Sequence, residues 1–203
     1  MHFSLTLSLP GRVRGQLNDR TGKITMQQIR LCGLGGQGIV VAGSILAQAG
    51  FRDKKSVALS SGYGSQVRGG ITTSDLVFSD GFIDFPLVTR VDLLVSMLQE
   101  AYQDSLPLVK KEGIVVLDSS LVKATPSSAA KHYNIPATET VIRELNSEMA
   151  ANIALLAAAN FIGQLVSEAS LEEAVKNSVS PRFVELNLRA VKVGLDLAQE
   201  VAV

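Results

Sequence analysis

The chain has 203 residues, 46% of them hydrophobic, with 19 Lys+Arg against 19 Asp+Glu, 17 Gly, two His, one Cys and no Trp. That length suits one domain, or one domain with a small appendage, and the balanced charge removes the broad attraction on which nucleic-acid binding depends. Cys32 alone makes no intrachain disulfide, holds no iron–sulfur cluster and completes no Cys-type zinc site, which suits a reducing compartment.

The opening Met1–Pro10 stretch has no basic leader, alternates apolar residues with Ser and Thr, and lacks a small-residue cleavage site, so it does not read as a secretory signal. Residues 1–25 are polar and rich in turn formers beyond Leu9, and are expected to be a disordered or loosely packed N-terminal extension, from an upstream start or an added segment. The domain proper is expected over 26–203.

Gln28–Cys32 predicts a strand. A glycine turn follows, then a helix with Ile39, Val40, Ala42, Ile45, Leu46 and Ala49 toward a core, stopped by Gly50. Ser56–Ser60 predicts a second strand running into the glycine-rich Ser61–Gly70. The stretches 71–78 and 82–85 flank Ser79-Asp80-Gly81 and predict a hairpin. Val91–Ser96 and Gly113–Leu117 read as buried central strands around a helix that begins near Gln99. Tyr133–Pro136 is a short extended piece. In the helical C-terminal third, Met149–Val166 approaches bilayer length, but Asn152, Asn160, Gln164 and its many alanines favour a helix buried in protein. Ser170–Glu173 has capping-box spacing, and Pro181 precedes a last helix. Together these predict an α/β fold: a Rossmann-like, mostly parallel sheet with helices on both faces and a helical C-terminal third, in a cytoplasmic protein.

Gly33-Leu-Gly-Gly-Gln-Gly38 fits G-x-G-x-x-G between a strand and a helix, where backbone approaches a phosphate at a helix N-terminus. A dinucleotide site also requires a carboxylate at the end of the second strand, and Val57–Ser61 supplies none, which counts against NAD. The same glycines equally serve to bring strand and helix together. In a doubly wound sheet the second loop opens on the same edge, so Ser60, Ser61, Tyr63, Ser65, Gln66 and Arg68 are expected to converge with the Gly33–Gly38 amides. The planar fork of Arg68 suits a carboxylate or phosphate, or alternatively pins its own loop through an ion pair or carbonyl contact. Cys32 reads as a packed, inert thiol, His132 as a surface residue in a connection, and Asp92 and Asp118 as capping or turn residues. No carboxylate pair is spaced as an acid/base couple. Such a constellation binds and positions.

Gly33–Gly38 followed by Ala42-Gly43 and Leu46-Ala47, then Gly62-Tyr-Gly-Ser-Gln-Val-Arg-Gly-Gly70, Ser74-Asp75, Asp92–Val95 and Glu100–Tyr102, resemble the gamma subunit of the 2-oxoacid:ferredoxin oxidoreductases. Ile135–Glu139, Asn152 and Glu185–Leu188 look most like the separate gamma chain of the 2-oxoglutarate enzymes. The resemblance implies one subunit of a complex that oxidatively decarboxylates a 2-oxoacid. Thiamine diphosphate with Mg on alpha and beta partners, coenzyme A, and iron–sulfur clusters feeding ferredoxin do the chemistry, with a ferredoxin-like delta chain among the partners. No catalytic or metal-binding residue is expected on this chain. The cofactor-facing residues it implies are Gly33, Gly35, Gly36, Gln37, Gly38, Ser61, Gly62, Tyr63, Gln66, Arg68, Gly69 and Gly70. Gln66 stands where many relatives carry Glu, leaving Arg68 less neutralised. Other readings compatible with the loops are a self-sufficient nucleotide- or coenzyme-binding module, a structural scaffold subunit, and the equivalent subunit of a pyruvate, branched-chain or indolepyruvate enzyme.

Overall fold

The computed structural model describes residues 3–7, 25–63, 70–125 and 129–202. Their strands are β1 (Phe3–Leu7), β2 (Met26–Leu34), β3 (Ser56–Tyr63), β4 (Ile71–Ser79), β5 (Val91–Ser96), β6 (Val109–Asp118) and β7 (Lys131–Ile135). The helices are α1 (Ile39–Arg52), α2 (Gln99–Ser105), α3 (Ala137–Leu145), α4 (Ala151–Gly163), α5 (Glu168–Ser178) and α6 (Val184–Val201). The strands form one sheet in the order β1-β3-β4-β2-β5-β6-β7. β2, β5, β6 and β7 pair in parallel, and β3 runs in their direction although antiparallel β4 separates it from β2. Only β4 and the edge strand β1 oppose them, which is the mostly parallel α/β sheet that the alternation of apolar runs predicts.

The pleat sorts the core into two layers. Ile29 and Leu31 of β2, Leu76 and Phe78 of β4, Leu93 and Val95 of β5 and Val116 of β6 belong to one layer, with buried residues of α1, α3, α4, α5 and α6. Cys32, Leu94, Val115 and Leu117 belong to the other, with Ala101 and Tyr102 of the short α2. Helices thus cover both faces, very unequally. α4 explains the long apolar run of 149–166: it is 13 residues, buried from Ala151 through Asn160, and packs against α6. No helix among the described residues is long and apolar enough to cross a membrane.

Several local expectations are corrected. β1 arises within the segment set aside as an extension, and it pairs with β3 from Phe3↔Ser61 to Leu7↔Val57. The hairpin is not at 79–81: β4 pairs with β2 and β3, and residues 82–85 form no strand. α1 does not stop at Gly50 but runs to Arg52: Gly50 keeps a negative φ instead of the left-handed conformation of a glycine cap, and its missing Cβ leaves room for the Phe78 ring. α5 starts before Ser170. Its N-cap is Ser167, whose hydroxyl accepts the Ser170 N–H.

Candidate functional site

α1 follows β2 onto one face of the sheet and α2 follows β5 onto the other. The carboxyl ends of these adjacent parallel strands therefore diverge, which is the topological switch point where open α/β sheets place ligands. A cleft of about 360 Å³ lies there. The β2–α1 loop supplies Gly36, Gln37 and Gly38, the end of β5 supplies Met97, and the turn after β6 supplies Leu121. Thr138 of α3 and Glu148, Met149, Ala151 and Asn152 at the start of α4 close it. Three helices, α1, α3 and α4, thus begin at the cleft, and each brings the partial positive charge of its N-terminus.

The glycine loop is held from several directions. Gly36 has φ +108° and Gly38 φ +76°, a region that disfavours side chains. The Gln37 side chain folds back: its Oε1 accepts the Leu34 N–H at 2.6 Å, and its Nε2 donates to the Met97 carbonyl at 3.4 Å, spanning the ends of β2 and β5. The Asn152 amide donates to the Gly38 carbonyl at 3.1 Å. A Cβ on Gly36 would meet open space, leaving bare backbone toward the cleft, whereas one on Gly38 would overlap the Asn152 amide.

The second loop touches the first at its far end, where the Gly35 N–H donates to the Gly70 carbonyl at 2.9 Å. Gly33 lies within β2, against Gln37 and Ile39, and does not line the cleft. Ser61 is buried with its hydroxyl 3.5 Å from that of Ser74, beneath α1. Gly62 lies in β3 beside Thr73, and Tyr63 ends the strand, paired with Thr72. Ser65, Gln66, Arg68 and Gly69 lie outside the described residues. The cleft also takes Met97, Leu121, Thr138, Glu148, Met149 and Asn152, which sequence motifs do not mark. Their common signal is position, since Met97 and Leu121 follow the carboxyl ends of two apolar strands and Thr138 and Asn152 open helices.

Asp118 is fully buried at the end of β6 and caps α3. Its carboxylate accepts the Thr138 N–H at 3.0 Å, the Thr138 hydroxyl at 2.6 Å and the Ser120 N–H at 3.1 Å. Asp92 accepts the Gln28 N–H and pairs with Lys110 at 2.6 Å. Both carboxylates are thus engaged in architecture. Cys32 is buried in β2, and burial, outweighing hydrogen bonds from Ser96 and Ser105, pushes its thiol up to about 11, far from a reactive thiolate. His132 departs from expectation. It sits on β7, half-buried, with Nε2 2.9 Å from the Tyr102 hydroxyl and Nδ1 2.9 Å from the Ala130 carbonyl. Because a carbonyl only accepts, Nδ1 is the donor to Ala130, and the Tyr102 oxygen that bonds Nε2 also accepts the Thr125 N–H at 2.9 Å.

Among the described residues no group of three His, Cys, Asp or Glu could hold a metal ion. The Thr138 hydroxyl is committed to Asp118 and Glu148 is exposed. Bare backbone and helix N-termini are a chemistry that suits an oxygen-rich group.

Comparison with known proteins agrees with this geometry. The profile of the pyruvate ferredoxin/flavodoxin oxidoreductase family matches residues 28–197. The 2-oxoglutarate synthase subunit KorC of Methanocaldococcus jannaschii is 37% identical over 188 residues, covering 91% of this chain and 100% of that protein. The crystal structure of the keto/oxoacid ferredoxin oxidoreductase gamma subunit from Geobacter sulfurreducens superposes with a TM-score of 0.78 at 31% identity, over 87% of this chain and 98% of that one. A likeness of fold alone, at 23% identity and TM-score 0.77, relates 86% of the chain to 31% of a 2-oxoglutarate:ferredoxin oxidoreductase chain from Magnetococcus marinus, solved with 2-oxoglutarate, coenzyme A and succinyl-CoA bound. The chain therefore belongs to the pyruvate ferredoxin/flavodoxin oxidoreductase family, as a gamma-type subunit of an oxoacid:ferredoxin oxidoreductase.

Proposed function

We propose that this chain serves a cytoplasmic 2-oxoglutarate:ferredoxin oxidoreductase, which converts 2-oxoglutarate, coenzyme A and oxidised ferredoxin to succinyl-CoA, CO2 and reduced ferredoxin. The observation that carries the substrate is the match to a 2-oxoglutarate synthase subunit over 91% of this chain and the whole of that protein. Residues 26–203 form the gamma domain. Its partners are alpha and beta chains, a ferredoxin-like delta chain and ferredoxin. Thiamine diphosphate with Mg and the iron–sulfur clusters, both on partner chains, supply the acyl-transfer and electron-transfer chemistry when bound.

The role left to this chain is to bind and orient coenzyme A at the switch-point cleft. The bare backbone at Gly36 and the starts of α1 and α4 favour carbonyl and phosphate oxygens. Met97, Leu121 and Met149 give the same cleft apolar walls for the aliphatic parts of a long, thin ligand. Gly33, Gly35, Ser61, Gly62, Tyr63 and Gly70 shape the approaches to the cleft, and Gln66, Arg68 and Gly69, which precede Gly70 in the chain, join them as cofactor-facing residues. In this reading Arg68 supplies a cation for coenzyme A phosphate.

Substrate profiling of the purified complex tests this. Under saturating coenzyme A, kcat/KM for 2-oxoglutarate should exceed that for pyruvate, 2-oxoisovalerate and indolepyruvate by about 100-fold or more, the discrimination expected when a buried polar pocket loses a partner. A higher value for any of those three would assign the chain to the corresponding enzyme.

A further inference from the structure

The cleft is built on Gly36 and Gly38, both at positive φ, where no side chain of their own restricts the backbone. A loop with that freedom binds weakly unless something outside it fixes its peptide planes, because the ligand must otherwise oppose the ordering entropy. We propose that Asn152 is the positioning residue that fixes this loop for coenzyme A. The inference rests on the reading that the cleft takes coenzyme A.

Gly38 is the N-cap of α1, and no side chain of its own caps that helix. Its carbonyl accepts the first helical bond from the Ala42 N–H at 2.9 Å, and it accepts a second bond from the Asn152 Nδ2 at 3.1 Å. Asn152 comes from α4, 114 residues away in sequence, and is 9% exposed. Its Oδ1 accepts the Ile153 N–H at 2.9 Å, which orients the amide so that Nδ2, the donor, faces Gly38. The fit is mutual: a Cβ on residue 38 would overlap that nitrogen, so Gly38 is required both by its φ and by Asn152. As with Asn160 further along α4, whose amide is taken up by the Val166 backbone, a buried Asn here has no packing advantage over Ala or Leu and is accounted for by its hydrogen bonds.

Asn152 also has a place in the cleft's boundaries. Together with Gly38 and Met149 it lines both the switch-point cleft and a second cavity of about 280 Å³ on the far side, walled by Val41, Ile153 and Phe183 among others. The Asn152–Gly38 bond is therefore part of the wall between the two cavities. With the bond lost, the Gly38 peptide can turn toward the second cavity, and the backbone at Gly36 and Gly38 is no longer held in one orientation. Gln37 still secures the start of the loop through Leu34 and Met97, so the defect is confined to its end.

A fixed loop improves ground-state and transition-state binding of coenzyme A equally, so its loss raises KM and spares kcat. The test uses the whole complex, with Asn152→Asp, which has the same shape and no donor, and Asn152→Ala. Activity is followed by reduction of a ferredoxin-type dye, and assembly by gel filtration. The expected result for both variants is intact assembly, KM for coenzyme A raised about tenfold, the effect of losing one polar contact in a binding site, and both kcat and KM for the 2-oxoacid within about twofold of wild type. Unchanged KM for coenzyme A in both variants, with wild type dependent on it, overturns the role of Asn152 and leaves the function intact. Equal losses in kcat and in both KM values, or failure of both variants to assemble, make Asn152 a folding residue and overturn it too. Wild-type turnover without coenzyme A would sink the function and this inference together.

Discussion

Gly194 on α6 lies against the backbone carbonyl of Ala154 on α4, so closely that a Cβ at position 194 would overlap that oxygen. The two helices meet backbone to backbone, which is why α4 is rich in alanine and buried along most of its length. The contact matters to the site, because α4 carries Asn152 and Ala151 into the cleft.

Gly194→Ala should force the helices apart. Overpacking of this kind costs about 1–3 kcal/mol, and more when backbone is the obstacle. Urea unfolding of the purified chain should show the midpoint lowered at unchanged slope. An unchanged midpoint would mean that α4 and α6 are not in this contact.

Asp53, just after α1, gathers the start of α5: its carboxylate accepts the N–H and hydroxyl of Ser167 and the hydroxyl of Ser170. Partial burial alone would raise its pKa, but the hydrogen bonds from Ser170 and Ser167 outweigh it, and the group sits below its ordinary value. A carboxylate that ionises more readily folded than unfolded contributes stability that is complete above the unfolded value of about 3.9. It is lost as pH falls through the lower, folded value. Asp53→Asn should therefore lower stability at neutral pH by about 1 kcal/mol, the size of a lost cap interaction, and flatten the acid limb of the stability profile. Parallel acid limbs in mutant and wild type would contradict this.

Tyr102 is fully buried in α2, and its hydroxyl links His132 on β7 to the Thr125 backbone. Tyr102→Phe leaves both without that partner, and because both are only half-buried the cost is about 0.5–1.5 kcal/mol, that of an ordinary hydrogen bond. Chemical denaturation measures it. A loss of less than a few tenths of a kcal/mol would show that water replaces the hydroxyl.

Much of the architecture was legible because it rests on local pattern. The apolar runs at 91–96 and 113–117 could only be central strands, and Gly33–Gly38 between strand and helix located the cleft. What escaped was pairing between distant segments. Phe82 and Ile83 beside Gly81 imitate a hairpin arm, yet β4 takes its partners from β2 and β3, and Phe82 and Phe85 stay exposed. The alternation of Phe3, Leu5 and Leu7 with Ser4 and Thr6 is itself a strand signal, outweighed by the polar residues after it. His132 was misplaced because its partner Tyr102 is 30 residues away. Asn152 was visible as a polar residue in an apolar helix, but only the fold brings it to Gly38.

Coenzyme A-dependent dye reduction with 2-oxoglutarate by the partner chains, purified with and without this chain, tests whether it is the coenzyme-positioning subunit proposed above. No turnover is expected from this chain alone, little from the partners alone, and full activity on recombination. Full activity from the partners without it, or from this chain by itself, would show that it does not position coenzyme A for the complex.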